Sequence, residues 1–367
     1  MFTNQNKNQN HNFFMGLALL QAKKTLGNTK DNPAVGCIIT KNNQVISAGY
    51  TSISGIPHAE HNAINFSRTN PKNSQLYVTL EPCSHYGKTP PCVNVIIRKK
   101  IKKVFFSIND VDTRSSNKST KLLRKKGIIV SYGVLKNKIK LFYRSYINSK
   151  EKTLPYVTCK LAISKDFYTI DKKNRWITNE LSRGRVHLMR SSHDCIMTSS
   201  KTIMDDNPRL TCRIDGLKDR SPSRIILDNK LRISINSKII KESANHCTII
   251  FYNKINKKKI KLYKKLRIRT IEIPIDKEGN LDLRKSLIKA KELGFSRIFL
   301  ESGIKLTTNF ISKNLVNDFK LFMSNKNLGK NGNDCIKKFL ISFLRNKKKV
   351  IEKVNLFGEK LISYKLK

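Results

Sequence analysis

Short apolar runs bounded by polar turns alternate along this chain with longer stretches in which apolar residues return every three or four positions. The first spacing predicts strands and the second predicts helices with one buried face. Residues 35–40 and 44–49 read as a hairpin around the Asn-rich turn Lys41-Asn42-Asn43. Residues 13–26 read as a helix ended near Gly27, residues 58–66 and 91–99 as two more, with a strand at 75–80 between those two. Pro91 suits a first helical turn, where no backbone N–H is needed. Residues 104–108, 120–126 and 128–132 continue as strand, helix and strand. Such alternation predicts an α/β/α sandwich.

A polar stretch at residues 149–155 interrupts the pattern, which then resumes. Strands are predicted at 156–163, 194–198, 224–228, 247–252, 297–301 and 318–323, and helices at 179–190, 281–293 and 304–312. A chain of 367 residues is long for one domain and comfortable for two. The expected division is a disordered tail at 1–12, a first domain at 13–148, a linker at 149–155 and a second domain at 156–367. Residues 331–367 are Lys-rich, with a last strand expected within 353–365.

Composition adds a strong charge: Lys+Arg 73 against Asp+Glu 26, net +47. A compact basic patch would point to nucleic acid. Here the excess is spread along the whole chain and accompanied by many Asn and Ile residues, as a compositional drift toward A/T-rich codons would produce. Nucleic acid is therefore disfavoured as a partner, while phosphorylated small molecules would be attracted. The 8 cysteines lack the spacing of small secreted domains. No run approaches a membrane span of about 20 apolar residues. Residues 13–20 could pass for a secretory segment, but only Lys7 is charged before them and no small-residue cleavage pattern follows. A cytoplasmic protein is expected.

The chemistry concentrates between His58 and Cys92. His58-Ala59-Glu60 is followed by Pro82-Cys83 and then Cys92. One imidazole and two thiolates fill three corners of a tetrahedral zinc and leave the fourth open, as catalytic sites do. Glu60 can reach that open corner as a proton carrier. His-x-Glu with Pro-Cys and a second Cys is the pattern of zinc deaminases acting on bases. Eight residues separate the cysteines where two are usual, so His85 is a rival third ligand.

The segment Thr79-Leu80-Glu81-Pro82-Cys83-Ser84-His85-Tyr86-Gly87-Lys88-Thr89-Pro90-Pro91-Cys92, with Asn32-Pro33-Ala34-Val35-Gly36-Cys37 upstream, resembles the deaminase motif of the bifunctional riboflavin-biosynthesis deaminase/reductase family. The resemblance covers about residues 13 to 330. It implies a cytidine-deaminase-like first domain and a dihydrofolate-reductase-like second domain that uses NADPH. It also implies a phosphorylated pyrimidine substrate, 2,5-diamino-6-(5-phosphoribosylamino)pyrimidin-4-one, and a homo-oligomer. Asn32 would line the deaminase pocket, and Lys88 and Thr89 would sit in the loop over it.

In the second half, Thr198-Ser199-Ser200-Lys201-Thr202 offers hydroxyls and helix-start amides that suit a phosphate. By resemblance, Ala162, Trp176, Thr202, Asp206 and Gly303 contact NADPH. Asn174, Arg190, Leu210, Arg213 and Glu301 contact the substrate. Three departures stand out. Phe167 replaces the glycine of a Ser-Leu-Asp-Gly turn, Asn174 replaces a serine, and Ile304 replaces a proline. A glycine at such a turn permits positive φ, and phenylalanine does so only at a cost. Two alternatives remain open: a deaminase whose reductase half is degenerate, and a deaminase of bases within nucleic acid.

Overall fold

The computed structural model describes residues 4–87 and 89–367, with side chains from residue 10 onward. The chain divides into two compact units, Met1–Thr153 and Leu154–Lys367.

The first unit is a five-stranded sheet covered by helices. In chain order it contains α1 (Asn4–Lys23), β1 (Gly36–Lys41), β2 (Gln44–Tyr50), α2 (Ala59–Asn65), β3 (Gln75–Leu80), α3 (Cys92–Arg98) and β4 (Lys103–Ile108). There follow α4 (Lys118–Lys125), β5 (Ile129–Tyr132), α5 (Lys136–Phe142) and α6 (Arg144–Glu151). The strand order is β2-β1-β3-β4-β5. β1 is antiparallel to both its neighbours, and β3, β4 and β5 are parallel. Two glycines set how closely helices approach. A Cβ on Gly36 would lie 1.9 Å from the Ala18 carbonyl oxygen of α1, and one on Gly49 would lie 2.3 Å from the Ala63 nitrogen of α2. Gly49 pairs with Cys37, the residue next to Gly36, and successive strand residues face opposite ways. The two helices therefore cover opposite faces.

Of the disordered tail expected at 1–12, residues 4–12 are helical, and residues 1–3 lie outside the described residues. α1 starts at Asn4 and continues through that stretch. Its physical reason is visible at His11, whose ring lies 4.3 Å from Phe105 and whose Nδ1 is 2.8 Å from the Tyr77 hydroxyl. α6 likewise runs through Glu151, into residues expected to be linker.

The second unit carries a nine-stranded sheet. Its elements are β6 (Tyr156–Ile163), β7 (Tyr168–Asp171), α7 (Glu180–Arg190), β8 (Cys195–Ser199), α8 (Ser200–Asp206), β9 (Ser223–Leu227), α9 (Lys238–Lys241) and β10 (Thr248–Tyr252). They continue with α10 (Lys257–Lys265), β11 (Arg269–Glu272), α11 (Leu283–Glu292), β12 (Arg297–Glu301), α12 (Ile304–Ser312) and β13 (Asp318–Met323). The last are β14 (Gly332–Cys335), α13 (Lys337–Leu344), β15 (Lys349–Ile351) and β16 (Lys360–Lys365). The order is β11-β10-β9-β8-β12-β6-β13-β16-β15, with β7 and β14 forming a separate pair. The strands from β11 to β13 are parallel, and β16 and β15 close the edge antiparallel. Apolar clusters lie on both faces, one around Leu161, Leu300 and Phe319 and the other around Ile196, Phe299 and Phe322. β12 sits between β8 and β6, so the winding direction reverses there. In open parallel sheets a crevice for ligands opens at such a reversal, beyond the carboxyl ends of the strands.

Candidate active sites

α2 follows the edge strand β2 and α3 follows the central strand β3, and the starts of the two helices come together. His58 is the residue capping α2, and Cys92 is the first residue of α3. Cys83 lies in the loop after β3. His58 Nδ1 is 3.3 Å from Cys92 Sγ and 3.5 Å from Cys83 Sγ. The three ligand atoms lie within 4.8 Å of one another, and this is the one group of its kind among the described residues. The Cys92 backbone N–H donates to Cys83 Sγ at 3.2 Å.

The electrostatics suit a cation. Cys83 is lowered to about 4, chiefly because the Cys92 thiol donates to it and His58 adds a second hydrogen bond. Cys92 is pushed up by burial and by the neighbouring sulfur. His58 is raised, first by its hydrogen bond to Cys83. Glu60 is 3% exposed, and burial followed by the Cys83 charge lifts its carboxyl to about 7. A nitrogen and two sulfurs converging on one point, with a carboxyl alongside, is a donor set that fits zinc with one corner open. His85 is not part of it, because its Nδ1 bonds Ser115 Oγ at 2.6 Å. Asn32 Nδ2 donates to the Gly55 carbonyl at 2.9 Å. Lys88 lies outside the described residues.

Glu81 next to the motif is a structural carboxylate that the sequence did not single out. It accepts from the backbone N–H groups of Asp110, Asn117 and Ser119 and from the Ser119 hydroxyl. It thereby fixes the loop that holds Ser115, and so His85.

In the second unit the carboxyl ends of β6, β8 and β12 carry the predicted residues. Ala162 is the next-to-last residue of β6, Glu301 ends β12, and Gly303 caps α12. Thr202 lies in the first turn of α8, its N–H donating to Ser199 Oγ at 3.2 Å, and Asp206 ends that helix. Arg190 grips Glu301 with two bonds, Nε to Oε2 at 2.9 Å and Nη2 to Oε1 at 2.7 Å, and donates from Nη1 to the Thr211 carbonyl at 2.9 Å. Burial would raise Glu301, but Arg190 and Lys160 outweigh it and hold the carboxyl down to about 2. Arg213 lies within the field of Arg190 and Glu301, and its backbone N–H donates to His187 Nδ1 at 3.2 Å. Leu210 is 2% exposed and has φ +55°.

Trp176 stands half-exposed between charges, with the Arg175 and Arg183 guanidinium carbons 5.0 and 5.1 Å from its ring centre. Asn174 is exposed and donates to Asp171 Oδ2 at 2.9 Å, a contact of its own loop and not of the Arg190–Glu301 group. Phe167 adopts φ +71°, the conformation for which a glycine is usual.

Three residues here escaped the sequence reading: Lys160, His187 and Arg224. Lys160 pairs with Glu301 across β6 and β12. A lysine inside the otherwise apolar strand Tyr156–Ile163 was the signal for it. Burial and the charges of Arg190 and Arg213 lower His187 to about 4. Its spacing of three from Arg190 puts both on one helical face.

The crevice also leaves polar atoms unmatched. Thr198 Oγ1 and Asn229 Oδ1, at the ends of β8 and β9, are buried without a hydrogen-bond partner among the described residues. A Cβ at Gly303 would meet no described atom within 4 Å. Unmatched polar atoms, an open helix start and the strand reversal together fit a dinucleotide.

Comparison with known proteins agrees with both halves. The cytidine and deoxycytidylate deaminase zinc-binding region matches residues 8–108, and the RibD C-terminal domain matches residues 155–355. The riboflavin biosynthesis protein RibD of Aquifex aeolicus is 33% identical over 318 residues, 86% of this chain and 87% of its own. That of Chlamydia trachomatis is 31% identical over 336 residues, covering 90% and 89%. Among solved structures, a diaminohydroxyphosphoribosylaminopyrimidine deaminase/5-amino-6-(5-phosphoribosylamino)uracil reductase from Thermotoga maritima aligns with TM-score 0.84. It is 30% identical and the match covers 98% of this chain and 99% of that one.

Proposed function

The chain belongs to the RibD family, a zinc-dependent deaminase and an NADPH-dependent reductase of riboflavin biosynthesis, and we propose that His58, Cys83 and Cys92 hold the zinc while Glu60 carries the protons. With both domains present, the bifunctional reading is favoured over a deaminase alone or a nucleic-acid deaminase. The deaminase fold acts on small nucleotide-like substrates. The substrate proposed here is 2,5-diamino-6-(5-phosphoribosylamino)pyrimidin-4-one, in keeping with the activity printed for the Thermotoga protein. No helix among the described residues is long and apolar enough to cross a membrane, and a cytoplasmic location is part of the same proposal.

When bound, zinc supplies the Lewis acidity that makes water nucleophilic near neutral pH. Water adds to the ring carbon bearing the 2-amino group. Glu60 takes one proton of the water and delivers it to the ring nitrogen, where it stays, and then carries the remaining hydroxyl proton to the departing amine. The carbon–nitrogen bond breaks, ammonia leaves and a carbonyl remains. A carboxylate held beside the metal ligands suits this shuttle, and Glu60 is buried next to them. In the second unit, NADPH supplies hydride when bound. Ala162, Trp176, Thr202, Asp206 and Gly303 are proposed to hold it. Asn174, Arg190, Leu210, Arg213 and Glu301 are proposed to hold the ribosyl substrate. Glu301, kept ionised by Arg190, is suited to accept hydrogen bonds from sugar hydroxyls.

The observation that carries the reading is the convergence of His58, Cys83 and Cys92 beside a buried Glu60. Glu60→Gln should lower ammonia release by about 10²–10⁴-fold, the range for a lost proton carrier. Zinc content and NADPH oxidation with the deaminated pyrimidine should stay at wild-type levels. Ammonia release near the wild-type rate would remove Glu60 from the reaction.

A further inference from the structure

We infer that Arg224 is a positioning residue of the reductase half, its buried guanidinium fixing the loop at residues 207–213 so that Leu210 and Arg213 meet the substrate. This rests on the proposed assignment of those two residues to the substrate.

Arg224 lies in β9 and is fully buried. Its hydrogen-bond partners are all neutral oxygens. Nη1 donates to the Arg209 carbonyl at 3.0 Å. Nη2 donates to the Ile239 and His246 carbonyls, each at 3.1 Å, and Nε donates to Thr248 Oγ1 at 3.1 Å. A buried cation with no carboxylate hydrogen-bonded to it among the described residues, and Glu242 acting on it through its field, is a costly way to fill a core, since an apolar side chain of similar volume avoids the desolvation. What the guanidinium provides instead is a grip on separate backbone segments from one rigid strand.

One of those segments is the substrate loop. The Arg209 carbonyl held by Arg224 immediately precedes Leu210, whose φ of +55° is uncommon for a residue with a side chain. Such a conformation persists where its surroundings fix it. The other anchors of the loop complete the clamp. Arg190 holds the Thr211 carbonyl, and His187 receives the Arg213 N–H. The Cys212 N–H donates to Ser221 Oγ, and Asn207 Oδ1 accepts from the Lys238 N–H. Arg190 and His187 belong to the site itself. Among the described residues Arg224 makes no hydrogen bond to the proposed substrate-contacting side chains, and its hydrogen bond to the loop is to a backbone carbonyl.

The test uses full-length Arg224→Met, Arg224→Lys and Thr248→Val. The last keeps the arginine and removes one of its acceptors. NADPH oxidation is followed against the deaminated pyrimidine phosphate and, separately, against NADPH. Arg224→Met should raise KM for the pyrimidine by about 10-fold or more, since small misplacements of binding groups are amplified at a site. KM for NADPH should not change. Arg224→Lys should fall between, and Thr248→Val should shift the same KM by a smaller amount. A pyrimidine KM at the wild-type value in Arg224→Lys and Thr248→Val would overturn the inference, even if Arg224→Met fails to fold. Equal rises in both KM values would also overturn it. If wild-type protein oxidises no NADPH with this substrate, the assignment of the loop falls first, which is a separate failure.

Discussion

Burial pushes the Glu301 carboxyl up, yet Arg190 and Lys160 outweigh it and hold it down to about 2, below its ordinary value of 4.5. A carboxyl depressed in the folded state stabilises it above the unfolded pKa, and that contribution is lost as pH falls through the folded value. At about 1.4 kcal/mol per unit this amounts to about 3 kcal/mol for the second unit. Denaturant unfolding at stepped pH should therefore show Glu301→Gln less stable than wild type at pH 7 by about that amount. The gap should close between about 4.5 and about 2. A gap that does not change with pH would mean that the pair is not what stabilises this region. Phe167 shows the opposite balance at a single residue. Its positive φ costs about 1–2 kcal/mol, while full burial of an aromatic ring would contribute about 1.5–3 kcal/mol and the partly buried Phe167 gains a share of that. Its ring packs against the core of the second unit, so the turn survives without the usual glycine. The sequence disclosed the strain but not the packing that offsets it. It pointed to His58, Cys83 and Cys92, which the structure brings together, because each metal-binding residue type is rare and its spacing is constrained by chemistry. Arg224 stayed hidden because an arginine in an apolar strand has no pattern until its oxygen partners, far apart in sequence, are brought to it.

At the scale of elements, those with a clear apolar rhythm were legible. β3, β6, β12 and β13 match the expected residues. Others were not. α10 has lysine at 6 of its 9 positions, with only Tyr263 of the helix fully buried, so its stripe is too thin to read. The hydroxyls of Ser199 and Thr202 announce the start of α8, and the sequence does not separate that capping role from a phosphate site. α1 was read as starting late because its first turns are polar. Packing between elements was invisible, and Gly49 shows its consequence. A Cβ there would press on the Ala63 nitrogen and the Ala59 carbonyl of α2, the helix that presents His58 and Glu60. Gly49→Ala should therefore push α2 off β2, destabilising the first unit by about 1–3 kcal/mol, the usual cost of overpacking. Zinc content of the purified variant, measured by mass spectrometry of the metal, should fall together with ammonia release. Full zinc occupancy with an unchanged melting temperature would show that the helix tolerates the shift.

At the scale of the whole molecule, the net charge of +47 acts on anions at a distance. Exposed charges are screened over about 8 Å at physiological ionic strength. kcat/KM for the phosphorylated pyrimidine and for NADPH should fall as salt is raised, while kcat at saturation should change little. Salt-independent kcat/KM would mean that the basic surface does not steer substrate. The two units place the two reactions in sequence. The pyrimidine loses its amine at the zinc site, and the ribosyl group of that product is then reduced.

The most direct measurement is mass-spectrometric product analysis of zinc-loaded protein given 2,5-diamino-6-(5-phosphoribosylamino)pyrimidin-4-one, with and without NADPH. The account predicts the deaminated ribosyl compound and free ammonia without NADPH, and the ribityl compound when NADPH is added. Recovery of the unchanged diamino compound under both conditions would contradict it.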